Sequence, residues 1–192
     1  MITINDNIKG LIFDLDGTLV DSMQAHYEAW NDMAKYAGFE FPKDYFYALA
    51  GMPTIKIIKI LSEKHNIDLD PYELVKVKEE AYYTRLDRIK IIEPVVDVVK
   101  RYFEVLPMSI GTGGKRDISV RVVKELGLDK YFNIMVAAED VENHKPAPDT
   151  FLKCAELMKV LPEHCQVFED GELGIEAAKA AGMAVTDVRH YL

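Results

Sequence analysis

Residues 8–22 read IKGLIFDLDGTLVDS, and this stretch decides the fold. Its first part, residues 8–13, is a short and mostly apolar run of β-forming residues, typical of a strand buried on both faces of a parallel sheet. The run ends at Asp14 and Asp16, followed by the turn-forming Gly17. Asp-Gly is also a common turn dipeptide, so a purely structural role stays open for these acids. If they serve chemistry, they lie at a strand's carboxyl end, where open α/β sheets bind ligands.

Apolar runs and helical periodicity alternate again in the second half of the chain. Predicted strands cover residues 107–111, 134–138 and 166–168, and predicted helices cover residues 95–103, 117–126, 149–158 and 173–181. This βα alternation predicts an α/β fold with a doubly wound, Rossmann-like parallel sheet.

The stretch between these parts has a different pattern of apolar residues. From residue 22 to residue 91 the apolar residues recur at helical spacing, and no segment there is typical of a strand. We therefore predict a discontinuous α/β core, residues 1–21 and 93–192, with an inserted α-helical cap, residues 22–92. Because the insertion leaves the core directly after the first strand, the cap should lie over the ligand-binding edge like a lid.

Composition limits the partners that the protein can have. The 192 residues are 49% hydrophobic and 29% charged, enough for one folded core with a modest insertion. Against 32 acidic residues stand 23 Lys and Arg, and the net charge of −9 disfavours nucleic acid and anionic membranes. No leader or membrane-spanning segment is evident, and Cys154 and Cys165 are too few for a disulfide framework. We expect a cytoplasmic monomer or weak homodimer with reduced thiols.

Two further loops carry groups that could hold a phosphoryl group. Residues 111–115, GTGGK, place the hydroxyl of Thr112 beside flexible glycines just before a helix. An ordinary strand-to-helix turn without a binding role would have the same kind of sequence. Residues 144–149, HKPAPD, place Lys145 on a turn stiffened by two prolines. Lys145 could offset phosphoryl charge there, and an ordinary surface lysine is an equal alternative.

A third loop, residues 169–171, follows an apolar strand with two adjacent acids and a glycine. Adjacent carboxylates repel each other unless a cation lies between them or one is exposed to solvent. Mg²⁺ prefers one or two carboxylates together with water and phosphate oxygens. Asp14, Glu169 and Asp170 are therefore candidate magnesium ligands.

Taken in order, these segments resemble the four motifs of the haloacid dehalogenase superfamily. The matching stretches are LIFDLDGTLVDS, the strand-end threonine of GTGG, HKPAPDTF and FEDGELGIEAAKAAGM. The helical insertion after the first motif also resembles that superfamily's cap. Within it, the chain is most similar to the β-phosphoglucomutase-like branch, which includes phosphatases of small sugar phosphates such as fructose 1-phosphate.

The resemblance implies phosphoryl transfer through an aspartyl phosphate. Asp14 would be the nucleophile, and Asp16 would protonate the leaving oxygen and then activate water. Thr112 and Lys145 would hold the phosphoryl oxygens. The implied Mg²⁺ ligands are the carboxylate of Asp14, the main-chain carbonyl of Asp16, and the side chains of Glu169 and Asp170.

The same resemblance implies which residues contact the rest of the substrate. His26 would lie at the hinge of the cap and couple the chemistry of Asp16 to cap closure, unless it is simply a packed histidine. The further substrate-binding candidates are Gly51, Thr54, Lys56 and Lys78 in the cap, and Gly113 and Lys115 in the second motif. Each cap lysine could equally lie on a solvated helix face.

One departure from the mutase pattern favours hydrolysis. Thr54 stands where the mutase presents an arginine to the second phosphate of its substrate, and a neutral hydroxyl cannot bind a phosphate as a guanidinium does. We therefore expect a magnesium-dependent phosphatase acting on a small phosphomonoester such as fructose 1-phosphate. β-Phosphoglucomutase is the close alternative. A receiver-type signalling domain is the alternative from another class, but such a domain needs no lid.

Overall fold

The computed structural model describes residues 2–192. Its strands are β1 (Gly10–Phe13), β2 (Val20–Asp21), β3 (Lys90–Ile91), β4 (Met108–Gly111), β5 (Met135–Val136), β6 (Cys165–Glu169) and β7 (Ala184–Asp187). The main sheet is parallel, with the strand order β5-β4-β1-β6-β7. The strand that carries Asp14 and Asp16 at its end is therefore the central one.

The α-helices in residues 2–192 are α1 (Met23–Tyr36), α2 (Lys43–Ala48), α3 (Thr54–His65), α4 (Pro71–Tyr83), α5 (Glu93–Tyr102), α6 (Arg116–Glu125), α7 (Asp149–Met158) and α8 (Glu172–Ala180). Local sequence explains where several of them begin. The side chain of Asp70 caps α4 by accepting a 3.0 Å hydrogen bond from the backbone N–H of Tyr72, and Pro71 is the first helical residue. Pro94 occupies the first turn of α5 in the same way.

Alternation along β1 produces a core on each face of the sheet. Leu11 and Phe13 pack into one apolar cluster, which includes the valines of α5. Ile12 points the other way and packs with residues of α7 and α8, among them Phe151. Helices on both faces of a parallel sheet confirm the predicted α/β fold.

Helices α1 to α4 form the cap, and they pack on one another. Their own apolar cluster includes Trp30, Phe41, Ile58 and Leu74. Within this cluster Trp30 is only 3% exposed. The chain enters and leaves this helical unit through β2 and β3, which pair antiparallel. The domain limits at residues 21/22 and 92/93 stay predictions.

Three strands, β2, β3 and β7, differ from the sequence expectation; β2, like β3, has only two residues and was not predicted. The prediction that no strand occurs between residues 22 and 91 is wrong at β3, because two residues show no periodicity and pair only once the cap brings them back to β2. Strand β7 was not predicted either. It lies at an edge of the sheet, half-buried, so it lacks the fully apolar run that marks β6.

Both cysteines are free thiols, and both are buried. Burial raises the pKa of Cys154 to about 12 and that of Cys165 to about 11, which disfavours the reactive thiolate. Within residues 2–192, no helix combines the length and apolar character that crossing a bilayer requires.

Candidate active site

The predicted catalytic residues meet at the carboxyl edge of the sheet. Asp14 follows β1, Thr112 follows β4, and Glu169 ends β6. Because these strands are parallel neighbours, three segments far apart in sequence end side by side. Their side chains line one cavity between the sheet and the cap, together with Asp16 and Asp170.

Lys145 lies behind this cavity and joins two of the acids. Its Nζ donates hydrogen bonds of 2.7 Å to Asp14 Oδ1 and 2.7 Å to Glu169 Oε2, and its side chain is 1% exposed. Burial alone would lower the pKa of Lys145, but Asp14 and Glu169 outweigh it and raise that pKa. Lys145 is therefore a fixed positive charge and not a surface lysine. Its predicted contact with phosphoryl oxygens stays a prediction.

Asp14, Glu169 and Asp170 form a tight cluster, with one carboxylate oxygen of each within 4.8 Å of the others. Burial and repulsion from Glu169 raise the pKa of Asp14 well above its usual range. The same two causes raise the pKa of Asp170 to about 7. Three carboxylates face one ammonium here within the described chain, and the excess negative charge fits a divalent cation.

A glycine makes room for this cluster. Gly17 has a φ of +89°, and a Cβ at this position would lie 2.3 Å from Asp170 Oδ2. The neighbouring Thr18 donates a 2.8 Å hydrogen bond to Asp170 Oδ1. The turn after Asp16 therefore both reverses the chain and holds Asp170, the acid that directly follows β6.

The side chain of Asp16 points towards the cap and away from the carboxylate cluster. Ser22 Oγ donates a 2.6 Å hydrogen bond to Asp16 Oδ1, and His26 Nε2 lies 3.1 Å from the same oxygen. Burial on its own would raise the pKa of Asp16, but His26, Ser22 and Lys78 together lower it to about 2. Asp16 is thus held as a carboxylate. Its predicted metal contact through the main-chain carbonyl stays a prediction.

Lys78 completes a chain of contacts from the cap to Asp16. Its Nζ lies 3.0 Å from His26 Nδ1, and burial lowers the pKa of Lys78 to about 8. At pH 7 Lys78 is still mostly protonated, so it donates to Nδ1 and the ring proton of His26 lies on Nε2, facing Asp16. Burial and Lys78 lower the pKa of His26, which favours this neutral ring.

The cap loop closes directly onto the second motif. A Cβ on Gly113 would lie 2.4 Å from the carbonyl oxygen of Gly51, and the position of a Cβ on Gly51 is 3.6 Å from the side chain of Lys145. Thr54 also lines the cavity. Lys56, by contrast, is exposed and outside the cavity lining, so the structure does not bring this predicted substrate-binding residue to the site.

Replacing Gly113 with Ala is expected to lower kcat/KM by roughly 10- to 100-fold. The new methyl group would collide with a backbone atom of the cap loop, and a displacement of about 1 Å at an active site costs that much. Gly113 itself is not in the left-handed region, so the fold should tolerate alanine. Steady-state kinetics beside a thermal unfolding curve tests this. Wild-type kcat/KM in the folded variant would contradict it.

Comparison with known proteins decides the family. The family profile for haloacid dehalogenase-like hydrolases matches residues 11–188. The chain belongs to this family. The match runs from the second residue of β1 to the residue after β7, and it includes every residue that lines the cavity described above.

Individual relatives of the hydrolase include sugar phosphatases. The fructose-1-phosphate phosphatase YqaB of Escherichia coli K12 is 45% identical over 185 residues, covering 96% of this chain and 98% of the relative. A phosphorylated carbohydrates phosphatase of Thermotoga maritima is 28% identical over 92% of this chain and 82% of its own. A crystal structure of β-phosphoglucomutase from Clostridium difficile superposes with a TM-score of 0.82 at 26% identity, covering 96% and 87% of the two chains.

Three residues that contact the predicted ones were not themselves predicted from the sequence of the hydrolase. They are Ser22, which bonds Asp16; Tyr82, whose ring stacks on His26 with centroids 3.9 Å apart; and Glu79, which pairs with Lys115. Tyr82 lies four residues after Lys78 on α4, so helical spacing could have placed both on one face. For Glu79 no local signal exists, because its partner lies in the core.

Proposed function

We propose that this hydrolase is a magnesium-dependent phosphatase of small sugar phosphates, with fructose 1-phosphate as its model substrate. The observation that carries the proposal is the cluster of buried Asp14, Lys145 and Glu169 with the partly buried Asp170, beneath a closed cap. Identity of 45% to a fructose-1-phosphate phosphatase along nearly the whole chain supports the substrate class. The buried free thiols support a reducing compartment, and we propose the cytoplasm.

Mg²⁺ would be held by Asp14, Glu169 and Asp170, and when bound it would neutralise charge on the transferring phosphoryl group. Lys145 holds Asp14 in place and offsets its charge. Asp14 attacks phosphorus, the bond to the sugar oxygen breaks, and the phosphoryl group passes to the Asp14 carboxylate. Water then attacks the same phosphorus, and free phosphate leaves while Asp14 is restored.

Asp16 serves both half-reactions through a change in its pKa. Without a phosphoryl group, the surroundings of Asp16 lower its pKa to about 2 and keep it ionised. An anionic phosphoryl group beside Asp16 raises this pKa by like-charge repulsion, which favours the acid that protonates the leaving sugar oxygen. Once it has given its proton to the sugar oxygen, Asp16 is a carboxylate again, and it then accepts a proton from the attacking water. His26 orients it from the cap side.

Hydrolysis is favoured over the mutase reaction by the lining of the cavity. Thr54 takes the place of the arginine expected for a mutase, and within residues 2–192 no arginine lines the cavity. A bisphosphate intermediate, which the mutase reaction requires, would therefore lack a bidentate partner at its second phosphate. A receiver-type domain is disfavoured by the cap that covers the site.

A substrate panel tests this function. With Mg²⁺ present, we expect phosphate release from fructose 1-phosphate, and a loss of about 100-fold or more when the metal is chelated, because the carboxylates then repel the substrate. To test for mutase activity, each anomer of glucose 1-phosphate is incubated with the protein and a catalytic amount of glucose 1,6-bisphosphate. Formation of glucose 6-phosphate faster than free phosphate would overturn the proposal in favour of the mutase.

A further inference from the structure

Glu79 is a carboxylate in the cavity that the reaction does not use. It lies on α4 next to Lys78, lines the same cavity as Asp14, and has a side chain that is only 13% exposed. Unlike the acids at the ends of β1 and β6, Glu79 has no part in the proposed metal site, and its charge would repel an anionic substrate. Its presence therefore requires either a cationic partner or a role in selecting the substrate.

Part of the explanation is an ion pair from the cap to the core. Lys115 Nζ donates a 3.0 Å hydrogen bond to Glu79 Oε2 and lies 2.7 Å from Oε1. Burial acts to lower the pKa of Lys115, but the hydrogen bond to Glu79 outweighs it and raises that pKa. Lys115, which was expected to bind substrate, is thus neutralised by a residue of the cap.

One oxygen of Glu79 is in contact with a charge but makes no hydrogen bond. Oε1 is buried and accepts no hydrogen bond within the described chain, although the Lys115 ammonium lies 2.7 Å away. A carboxylate oxygen has two lone pairs, so Oε1 can accept a hydrogen bond from a donor of a ligand beside this ion pair. A sugar hydroxyl is such a donor, whereas an ionised phosphate has only acceptors to offer.

The other cations around the cavity are engaged as well. Lys145 is bonded to Asp14 and Glu169, and Lys78 is bonded to His26. A second phosphate on the substrate would therefore meet the Glu79 carboxylate beside a Lys115 that this carboxylate already neutralises, and no arginine of the described chain lines the cavity there. The part of the cavity around Glu79 therefore favours a neutral, hydroxylated group.

We propose that Glu79 is a specificity-determining residue that accepts a hydrogen bond from a substrate hydroxyl and excludes a second phosphate, so that the hydrolase selects sugar monophosphates over bisphosphates. The inference rests on the proposed phosphatase activity and deepens it. A purely structural role, in which the Glu79–Lys115 pair only holds the cap closed, would affect both classes of substrate alike.

The experiment compares fructose 1-phosphate with fructose 1,6-bisphosphate, which differ only in the second phosphate. The readout is the ratio of kcat/KM for the two, measured by phosphate release, because a general loss of catalysis cancels from it. In Glu79→Gln this preference for the monophosphate should fall by about tenfold or more, since the repelling charge is gone and Lys115 is released. Glu79→Asp, which keeps the charge, should restore most of the preference.

A matched control and a second variant complete the test. Glu80→Gln removes the neighbouring exposed acid, which pairs only loosely with Lys76 at 3.8 Å, and should leave the ratio unchanged. Lys115→Met leaves the charge of Glu79 uncompensated and should increase the preference for the monophosphate. A decrease would mean that Lys115 itself binds the second phosphate, which would overturn the inference.

The two proposals fail in different ways. If the wild-type protein releases phosphate from neither sugar phosphate, the proposed function fails. If it hydrolyses fructose 1-phosphate but the ratio is the same in Glu79→Gln, or if it accepts the bisphosphate equally well, only the role of Glu79 is wrong. Should Glu79→Gln not fold, Lys115→Met still decides the outcome, because an increased preference for the monophosphate supports the role of Glu79 and a decreased preference overturns it.

Discussion

Replacing Asp14 with Asn is expected to lower kcat for sugar-phosphate hydrolysis by at least about 10⁴-fold, because the amide cannot act as the nucleophile. The change keeps nearly the same shape, and the amide oxygen can still accept the hydrogen bond of Lys145. The lost activity should therefore reflect chemistry and not misfolding. Steady-state phosphate release with Mg²⁺ measures it.

The same variant should be as stable as the wild-type protein or more so when metal is chelated. Burial and Glu169 raise the pKa of Asp14, so the folded state binds more protons than the unfolded state near neutral pH, and ionised Asp14 opposes folding there. Asparagine removes this charge. Thermal unfolding with a chelator tests the sign, and Asp68→Asn, an exposed acid outside the cavity, is the control. A markedly lower midpoint, or activity within tenfold of wild type, would contradict the assignment of Asp14.

The core of the site could be predicted because the topology of a parallel sheet determines which strand ends lie next to one another. Once residues 8–13 are recognised as a parallel strand, the residues that follow each strand must gather at one edge of the sheet. Thr112 and Glu169 therefore lie beside Asp14 although about a hundred residues or more separate each of them from it in sequence. The loop that carries Lys145 was harder to place, since only the structure shows its ammonium buried between two acids.

The cap was predicted less well, because the rotation of a helix about its axis is set by packing. Lys56 was expected at the site on account of its closeness to Thr54. Residues two apart on a helix point in nearly opposite directions, so with Thr54 at the cavity Lys56 faces solvent. Glu79 and Ser22 were missed for a related reason. Their roles depend on contacts between the cap and the core that no local pattern contains.

Replacing Lys145 with Met is expected to cause the largest loss of stability of any single change at this site. Removing one partner of a buried ion pair typically costs about 3–5 kcal/mol, because the remaining charge is left without compensation. Here two carboxylates, Asp14 and Glu169, lose their shared partner. Activity should fall by about 10³-fold or more. Lys153→Met is the matched control, since Lys153 is a partly exposed lysine paired with an exposed acid and should change stability by less than about 0.5 kcal/mol.

The pH dependence of unfolding separates the lost charge from lost packing. In the wild-type protein the pKa of Lys145 is raised, so its stabilising effect is fully present below the ordinary lysine pKa and constant between about pH 5 and 8. Without it, the pKa of Asp14 is raised further, the folded state binds extra protons, and stability should increase as the pH falls from 8 to 5, more steeply than in the wild type. Added Mg²⁺ should likewise stabilise the variant more than the wild type, because the ion supplies part of the missing positive charge. Equal slopes and equal responses to Mg²⁺ in the two proteins would mean that the methylene chain of Lys145, and not its ammonium, is what the site requires.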